Sequence, residues 1–525
     1  MKTLRFKVIG RLAFLVDGKH STAAKNAFSF AKPGARYTPA HKLWLQQKAL
    51  GIPEEERQGW DGRISMMKDD SIPVGLLLAE ETKKDLAKAG FDVEIVSWSK
   101  RPKVVEQKGF KELDKKYSYQ NFAVDNMLRS ISDFGGGLVL SATGTGKTKT
   151  ASQFFSHIDG KCLFIVDTID LLYQSQKEIQ MWLKKEGYDQ EVGIVGNSQF
   201  NPKRITIATI QTLHKHARKK SVRDWLKTID IILIDEIHKM MARRNFSVVN
   251  IAQPQAVIGL TATMQLKRKP IRFKCIAICG PKIFEFPLHE GVEKGVLSPG
   301  VVIQIPVDSN HAPRKQIKVR GKLVGVSDYI HEVVDNKNLH RVVVNLVKEC
   351  LSQDLCVAVL VERIKHLKRL HKRLKDYDPK IFYGAIKVAD RKKQLITFDK
   401  GKDNLILANQ VFTKGINLKR IDVVIDCAQR GNKDDAQQKY GRAVRLHTEK
   451  AGIYYFDMFT EGKMEKAAKS RKGAFRQLKV PIKVLTTDFT RTAPWSPAEI
   501  LNEADILLRD TLKKLKDKTA QGKLF

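Results

Sequence analysis

The sequence predicts an α/β fold in which two parallel-sheet domains follow one another, with a small α+β domain before them and a helical tail after them. Short, almost wholly apolar runs alternate with helix-like segments over residues 106–284, and the same alternation returns over residues 285–478. A strand that is apolar throughout is typical of a parallel sheet covered by helices on both faces. The length of 525 residues also exceeds what one ordinary domain contains.

Residues 1–105 predict the small α+β domain. Its apolar runs FKVIGRLAFLV, GLLLA and VEIVSW alternate with the helix-like segments PAHKLWLQQKAL and EETKKDLAKAG. Elements of both kinds in one short region indicate a separate α+β unit.

Apolar runs predict the strands of the two parallel sheets. The first domain has GLVLSAT, CLFIVDT, EVGIVG, ITIATI, IDIILIDE and AVIGLTAT, and the second has VAVLV, KIFYG, NLILANQ, VVIDCA and AGIYYFD. The segment RFKCIAICG also reads as an apolar strand. PLHEGVEKGVLSPG suits a connector between the domains because it carries glycine and proline.

Residues 479–525 predict a helix followed by a tail. Ser496 suits the N-cap, Pro497 suits the first helical position, and Glu499 completes a capping box. Six apolar residues fall on one helical face, namely Ile500, Ala504, Leu507, Leu508, Leu512 and Leu515. The pattern therefore predicts an amphipathic helix.

The charge balance points to a polyanionic partner. Lys and Arg number 94 against 57 Asp and Glu, which gives a formal net charge of +37. Such an excess attracts nucleic acid before any specific contact forms. The alternative, a basic but merely solvated surface, is disfavoured by an excess spread along the whole chain.

Membrane and zinc partners are not predicted. The start MKTLRFKVIGRLAF is broken by charges, and the sequence has no apolar run of the length that a membrane span needs. We therefore expect a soluble protein of the cytoplasm. Cys275 and Cys279 are four residues apart, but no second Cys or His pair completes a zinc site, so buried free thiols are expected.

The segment GGGLVLSATGTGKTKT predicts a phosphate-binding loop. An apolar strand ends at Leu140, and a helix is expected to start near Gly146. Glycines let backbone N–H groups curl around phosphates at a helix N-terminus. Ser141 stands where the usual pattern has its first glycine. The candidate ATP-binding residues of the loop are Ser141, Ala142, Thr143, Gly144, Thr145, Gly146, Lys147 and Thr148.

Roles within this loop follow from side-chain chemistry. Lys147 is expected to reach the β- and γ-phosphates, and the Thr148 hydroxyl is expected to bind Mg²⁺. The strand DIILIDEIHKM ends in Asp235 and Glu236, which should lie beside the loop at the carboxyl edge of the same sheet. Asp235 is expected to hold Mg²⁺, and Glu236 to orient or deprotonate the attacking water.

These motifs resemble those of superfamily 2 helicases of the DExH branch, over residues 108–475. The resemblance implies two RecA-like domains and an ATP-hydrolysing motor. YSYQNFAVD is similar to the segment in which a glutamine, here Gln120, reads the adenine. VDTIDLLYQ, with Thr168 and Gln174, and ATIQTL resemble motifs Ia and Ib. GLTAT, with Thr261-Ala262-Thr263, resembles motif III, which couples hydrolysis to movement. The implied nucleic-acid contacts are Thr168, Thr209, Gln211 and Thr212.

The second parallel-sheet domain resembles the same family. Val361-Glu362-Arg363 lies where motif IV is expected, which implies a nucleic-acid contact at Arg363. FTKGINL resembles motif V, with Thr413 at nucleic acid and Gly415 and Asn417 at ATP.

QKYGRAVR resembles motif VI, in which Gln438, Arg442 and Arg445 are the implied catalytic residues. Arginine is suited to charge that develops on a γ-phosphate, because it is planar and always charged. The resemblance implies that these residues make domain closure depend on ATP.

GWDGRISMM and IPVGLL are similar to the start of UvsW-like phage helicases, which act on branched DNA. That resemblance implies a DNA-binding N-terminal domain with Trp60 and Arg63 near the duplex. The alternative is a turn with a core tryptophan. XPB-like and restriction-translocase relatives belong to the wider match.

Two weaker features remain. Gln521–Phe525 resembles the Q-x-x-L-F peptides that bind sliding clamps, although a frayed polar end is favoured. RKQIKVRGKLVGVSDY reads either as a basic hairpin turning near Arg320-Gly321 or as a domain-entry strand.

The sequence thus predicts an ATP- and Mg²⁺-dependent helicase that remodels branched DNA, by fork reversal, branch migration or R-loop and D-loop unwinding. The rivals are a DExH RNA helicase and a basic annealing or scaffold protein in which ATP only regulates binding. No paired-carboxylate nuclease pattern is present, so cleavage is not predicted.

Overall fold

The computed structural model describes residues 2–17, 22–32, 34–67, 70–99, 115–240, 243–262, 269–319, 322–384, 386, 388–409, 420–445, 451–486 and 495–520. The chain divides into two compact units. Unit 1 comprises Met1–Ser141 and Gly146–Glu285, and unit 2 comprises Ala142–Thr145 and Phe286–Phe525. The domain limits predicted at 105/106, 284/285 and 478/479 stay predictions.

Unit 1 begins with a four-stranded sheet of order β5-β2-β1-β6. Its elements are β1 Lys2–Ile9, β2 Leu12–Asp17, α1 Thr22–Ala27, β3 Ser29–Ala31, α2 Pro39–Ala49, β4 Arg63–Ser65, β5 Ser71–Pro73, α3 Val74–Leu78, α4 Glu80–Lys88 and β6 Phe91–Ser99. Alternate residues of β1 are buried, namely Leu4, Phe6 and Val8, so one sheet face packs on the core. The run GLLLA forms α3, whereas the other two apolar runs form strands.

The rest of unit 1 is an eight-stranded sheet of order β10-β9-β11-β8-β12-β13-β7-β14. Its elements are α5 Ser118–Phe134, β7 Gly136–Ser141, α6 Lys147–Ser156, β8 Cys162–Val166, α7 Ile169–Lys185, β9 Val192–Gly196, β10 Gln199–Asn201, β11 Ile205–Thr209, α8 Ile210–His216, α9 Lys220–Leu226, β12 Ile231–Ile234, α10 Arg243–Ala252, β13 Ala256–Thr261, α11 Lys269–Cys279 and β14 Lys282–Phe286. All six predicted runs are strands, and they pair in parallel. The predicted parallel sheet is confirmed.

One strand prediction in this unit is wrong. RFKCIAICG belongs to helix α11, on which Cys275 and Cys279 are one turn apart and both buried. A short apolar run does not distinguish a buried strand from a buried helix by its periodicity. The expectation of free thiols is confirmed, since all six cysteines are free and buried.

The N-terminal sheet and the eight-stranded sheet share one hydrophobic core. The guanidinium of Arg11, which is buried, donates to the carbonyls of Gly135 and Ile278. Arg272 on α11 donates to both carboxylate oxygens of Glu81 on α4, at 2.8 and 2.7 Å. The N-terminal domain is therefore docked on helix α11.

Unit 2 contains a seven-stranded parallel sheet of order β19-β20-β18-β21-β22-β15-β23. Its elements are α12 Leu288–Glu293, β15 Gly300–Val307, β16 Gln316–Val319, β17 Lys322–Gly325, a π-helical turn Ile330–Val334, α13 Lys337–Ser352, β18 Val357–Leu360, α14 Ile364–Arg373, β19 Lys380–Phe382, α15 Val388–Asp399, β20 Leu405–Ala408, β21 Val423–Asp426, α16 Lys433–Ala443, β22 Ile453–Thr460, α17 Glu465–Gln477, β23 Ile482–Val484 and α18 Pro497–Ala520. All five predicted runs are strands. The connector contains helix α12, and β16 and β17 pair as an antiparallel hairpin.

The C-terminal helix forms as predicted. Ser496 N donates to Glu499 Oε2 at 2.8 Å, and Glu499 N donates to Ser496 Oγ at 3.3 Å, which is the reciprocal capping box. Ile500, Ala504 and Leu508 are buried in the core of unit 2. Across the described parts of the chain, no helix is long and apolar enough to span a membrane.

Candidate ATP site and nucleic-acid interface

The phosphate loop has the backbone that its sequence predicts. Strand β7 ends at Ser141 and helix α6 begins at Lys147. Gly144 and Gly146 have φ angles of 89° and 83°, in the left-handed region that favours glycine. Ser141 is not among the positive-φ residues. Serine is tolerated there because the position needs only extended strand backbone.

Two side chains lie against this loop. Lys147 Nζ donates to the carbonyl of Ser141 at 3.0 Å, so the ammonium lies over the loop. Gln120 is 2% exposed, and a Cβ on Gly146 would lie 2.5 Å from its Nε2. The amide of Gln120 is thus packed beside the N-terminus of α6, which suits its predicted role at a nucleobase.

The carboxylates of Asp235 and Glu236 follow strand β12 at the same sheet edge as the loop. β13 lies between β12 and β7, and the three strands are parallel, so their carboxyl ends meet. The positive charge of Lys147 opposes the rise in the pKa of Asp235 and helps to lower the pKa of Glu236, so its ammonium acts on both carboxyl groups. The structure therefore brings together the residues predicted to bind phosphate and to activate water.

The two acids are electrostatically unequal. Burial, followed by the charge of Glu236, raises the pKa of Asp235 to about 6. Burial acts to raise the pKa of Glu236 as well, but Lys147, His238 and Lys239 together outweigh it and lower that pKa. Of the pair, Glu236 is the better held as an anion, which is the form that accepts a proton from water.

The Glu236 carboxylate is held by Thr261 and Ala262 of motif III and by His238 of the DEIH pattern, none of which was among the predicted catalytic residues. Thr261 Oγ1 and Ala262 N lie 3.4 and 3.5 Å from Glu236 Oε2. His238 Nδ1 is 2.9 Å from Thr261 Oγ1 and 3.3 Å from Glu236 Oε2. The signals were present as the DEIH and TAT patterns, but the pairing of β12 with β13 had to be known to join them.

The acidic residues fit a magnesium ion. Mg²⁺ prefers oxygen ligands and is usually held by one or two carboxylates together with substrate phosphates. Asp235 is a half-buried carboxylate whose raised pKa indicates that its anionic form lacks full compensation. Thr148, the second residue of α6, follows Lys147 in the phosphate loop. In the described part of the chain no three His, Cys, Asp or Glu side chains cluster as metal ligands. Such an ion, when bound, neutralises phosphate charge.

The predicted motif Ia and Ib residues gather at the carboxyl ends of β8 and β11. Thr168 is the N-cap of α7, and its Oγ1 accepts from Leu171 N at 3.3 Å. Gln211 Nε2 donates to the carbonyl of Asp167 at 2.7 Å and remains exposed. Gln211 and Thr168 are therefore placed at one solvent-facing edge.

The two threonines of motif Ib are less accessible. Thr209 Oγ1 donates to Thr212 Oγ1 at 2.9 Å, and Thr209 is 2% exposed. Thr209 thus lies beneath the surface and contacts Thr212, which is half-buried. Their contacts with nucleic acid stay predictions.

Trp60 and Arg63 brace the N-terminal domain. Trp60 Nε1 donates to the carbonyl of Arg63 at 2.8 Å. Arg63 Nε donates to Ser29 Oγ at 2.6 Å, and its Nη2 donates to the carbonyl of Asn26 at 2.9 Å. The guanidinium of Arg63 is thus engaged internally, and this arrangement adds no support to the predicted DNA contact.

Unit 2 carries the predicted motif IV and VI residues. Gln438 and Arg442 lie on α16 and Arg445 just beyond it, and all three are half-buried. Arg445 forms an antiparallel bridge with Leu297, which anchors the end of α16. Arg363 is the exposed N-cap of α14. Thr263, Thr413, Gly415, Asn417 and Gln521–Phe525 lie outside the described residues.

A buried charge network behind α16 was not predicted. Lys439 Nζ donates to Asp426 Oδ2 at 3.0 Å, and Tyr455 Oη donates to the same oxygen at 2.8 Å. Arg471 Nε donates to Asp457 Oδ1 at 2.7 Å. These residues are dispersed in the sequence, and only Lys439 lies within a motif, between Gln438 and Arg442 of QKYGRAVR. They fix α16, which carries Gln438 and Arg442, to β21, β22 and α17.

Two family models match the chain in tandem. The model for the type III restriction enzyme res subunit matches residues 114–266, and that for the helicase conserved C-terminal domain matches residues 339–447. The first match includes the phosphate loop and the Asp235-Glu236 pair, and the second includes α16. The chain belongs to the superfamily 2 helicases. It is an ATP-dependent helicase or translocase, with the tandem RecA-like architecture of that family.

Curated relatives of this helicase are distant. "Probable helicase D10" of Escherichia phage T5 is 23% identical over 326 residues, covering 61% of this chain and 66% of that protein. "DNA 3'-5' translocase XPB2" of Sulfurisphaera tokodaii is 21% identical over 347 residues, covering 60% of this chain and 76% of that protein. The match thus spans just under two thirds of the phage helicase and about three quarters of the translocase.

One of two similar solved structures shows the same fold. Saccharomyces cerevisiae Dbp5 bound to RNA and ADP BeF3 aligns with a TM-score of 0.51 and 14% identity, covering 75% of this chain and 98% of that chain. The crystal structure of T4 UvsW covers 93% of this chain and 99% of that chain at 16% identity, with a TM-score of 0.42. The second score is too low to carry an argument.

Proposed function

We propose that this helicase uses ATP to move along DNA and to remodel branched DNA, as in fork reversal, branch migration and R-loop or D-loop unwinding. The proposal is supported by the names of two relatives, a phage helicase and a DNA translocase. The resemblance of GWDGRISMM to UvsW-like phage helicases and the net charge of +37 also favour it.

The docked N-terminal domain is the observation that carries the proposal. Its core is continuous with that of the nucleotide-binding domain, and Arg11 and the Arg272–Glu81 pair fasten the two together. A duplex arm bound by this domain would therefore keep a constant position relative to the ATP-binding sheet. A motor with such an extra grip is suited to a branch point, where one arm is retained while another strand is moved.

The ATP site suggests how the chain's own groups take part. Lys147 and the N–H groups of the loop hold the phosphates, and Gln120 faces the base. Glu236 orients water and accepts its proton, while Thr261 and His238 fix the carboxylate. Thr261 ends β13, and helix α11, on which the N-terminal domain is docked, packs on that strand, since a Cβ at Gly259 would lie 2.8 Å from Cys279 Sγ.

The substrate class is tested by stimulation of ATP hydrolysis. Steady-state rates are measured with a DNA fork, a four-way DNA junction, a linear duplex and a matched RNA fork. We expect the branched DNA molecules to stimulate most. Stronger stimulation by RNA would replace the proposal by a DExH RNA helicase. DNA binding without any stimulation would favour an annealing or scaffold protein regulated by ATP.

We also propose, from the sequence of Gln521–Phe525 alone, that the C-terminus docks on a sliding clamp. Deletion of the last five residues should abolish binding to an immobilised clamp and leave basal ATP hydrolysis unchanged. Equal clamp binding by the full-length and truncated proteins would end this proposal.

A further inference from the structure

Helix α14 of unit 2 has an exposed face that is basic apart from Ile364 at its first position. Lys365, Lys368 and Lys372 are all exposed, and at 100° per residue they fall within roughly 60° of one another. The opposite face is buried through Leu367 and Leu370. Residues 363–375 contain no acidic residue at all.

This face works against the stability of the helix. Like charges four residues apart repel, and α14 contains three such pairs, Lys365 with Arg369, Lys368 with Lys372 and Arg369 with Arg373. Elsewhere in unit 2 a cation is matched at that spacing, as in Arg509–Asp505 at 2.7 Å on α18. A helix that retains several like-charged pairs is suited to bind a polyanion, which would neutralise them.

The nearest acid does not neutralise the face. Asp335, which is 7% exposed at its side chain, binds the ammonium of Lys315 at 3.5 Å, that of Lys365 at 3.9 Å and the guanidinium of Arg369. One carboxylate therefore meets three cations and leaves two positive charges in excess. Since Lys315 immediately precedes β16, the basic surface also continues from α14 towards the hairpin.

We propose that the face formed by Lys365, Lys368 and Lys372 binds the phosphate backbone of a DNA duplex arm. The inference rests on the proposed DNA substrate. From Lys365 to Lys372 the helix rises about 10 Å, and a DNA strand presents a phosphate every 3.4 Å or so along the axis, so the face spans about three phosphates. Lysines act as point charges and suit contacts that ignore sequence.

The position of this basic face in the fold also supports DNA as its ligand. It begins two residues after Arg363, the predicted nucleic-acid contact that caps α14. A duplex leaving that contact therefore meets cations directly. An acidic protein partner would need the same charge but would not make DNA affinity depend on these lysines.

The test is the salt dependence of duplex binding by the full-length protein, measured by fluorescence anisotropy. In the variant K365A/K368A/K372A, the slope of log K against log salt concentration should become shallower by about 2 to 3. Affinity at about 0.1 M salt should fall by on the order of a hundredfold. Basal ATP hydrolysis without DNA should not change.

The matched control is K513A/K514A/K516A, which removes the same charge from exposed positions of α18 in the same unit. Its slope should change by less than about 1. Equal slopes for the two variants, or an α14 variant that binds as wild type, would overturn the inference while leaving the proposed function intact. A wild-type protein that binds no DNA would instead overturn the proposed function.

Discussion

Glu236 is held in an unusual backbone conformation at the end of β12. Its φ of 47° lies in the left-handed region, which costs free energy for a residue with a side chain. The Lys239 N–H closes a turn on the Glu236 carbonyl at 2.8 Å. This turn aims the carboxylate at Thr261, Ala262 and His238. A strained residue in a constellation of hydrogen bonds is typical of a catalytic position.

Thr261 is predicted to be a positioning residue for Glu236. Replacing Thr261 with Val keeps the shape but removes the hydroxyl that meets both His238 Nδ1 and Glu236 Oε2. We expect kcat for ATP hydrolysis to fall roughly tenfold, equivalent to about 1.4 kcal/mol, with little change in KM. Thr261→Ser should restore most of the rate. A Val variant as active as wild type would contradict the assignment.

Two buried histidines should make unit 2 sensitive to acid. The rings of His340 and His366 are 5.1 Å apart, and in the described structure neither nitrogen of His366 has a hydrogen-bond partner. Burial, then Arg373, lowers the pKa of His340 to about 4, and burial, then His340, lowers that of His366 to about 3. Arg369 lowers both values and Asp335 opposes the shift.

The free energy of unfolding of the chain should therefore decrease as the pH falls. The unfolded chain binds protons below pH ~6.5 while the folded chain does not, so stability is fully present above that pH and is lost as the pH falls towards 4. Between pH 7.5 and 5.5 the free energy of unfolding should drop by about 1.4 kcal/mol for each histidine. Urea unfolding at the two pH values measures this drop.

Two variants distinguish the effect of a buried histidine from that of an exposed one. His366→Phe should lose about half of the acid sensitivity, whereas a change at exposed His311, such as His311→Gln, should lose none. A wild-type protein equally stable at both pH values would mean that the pair is not buried as described.

At the scale of elements, the strands were predictable and the docking of elements was not. All eleven apolar runs assigned to the two parallel sheets are strands, because a strand buried on both faces is apolar throughout. RFKCIAICG carries a similar pattern as helix α11, because that helix is buried by the N-terminal domain as well as by the sheet. The sequence alone does not show that the N-terminal domain covers this helix.

The same distinction holds for the candidate site. The loop and the acidic pair follow from local motifs, since phosphate binding needs consecutive residues. Other contacts depend on strand order or long-range packing. They are the hydrogen bonds of Thr261 and His238 around Glu236, the ion pair of Lys439 with Asp426, and the ion pairs of Asp335 with three cations. No local pattern encodes those contacts.

The contact between α3 and α11 is predicted to be essential for the N-terminal domain. A Cβ at Gly75 would lie 2.0 Å from the carbonyl oxygen of Ile276, a backbone atom that cannot rotate away. Gly75→Ala should therefore lower the free energy of unfolding by at least about 2 kcal/mol, although alanine favours a helix. Thermal or urea unfolding measures the loss.

The control for that variant is Gly384→Ala in unit 2. Gly384 has open space around its Cβ position and no left-handed φ, so its replacement should change stability by less than about 0.5 kcal/mol. Equal stabilities of the two variants would show that the N-terminal domain does not pack on α11.

The whole molecule combines a two-domain motor with surfaces that attract nucleic acid. The net charge of +37 gives long-range attraction to polyanions without sequence preference, so under the proposed function selectivity would come from the shape of the DNA. The N-terminal domain of unit 1 and the basic face of α14 in unit 2 are the surfaces that we propose to hold DNA outside the parallel sheets. Each unit thus has its own candidate grip on a duplex arm.

The central claim is that hydrolysis at Glu236 drives remodelling of branched DNA. The direct measurement compares strand separation of a fork, a four-way junction, an R-loop and a linear duplex by the wild-type protein and by Glu236→Gln. We predict that the wild type remodels the branched molecules faster than the linear duplex and only with ATP. The variant should bind these DNAs but lose at least about a hundredfold in rate. Remodelling by Glu236→Gln at the wild-type rate, or no preference for branched over linear DNA, would contradict the account.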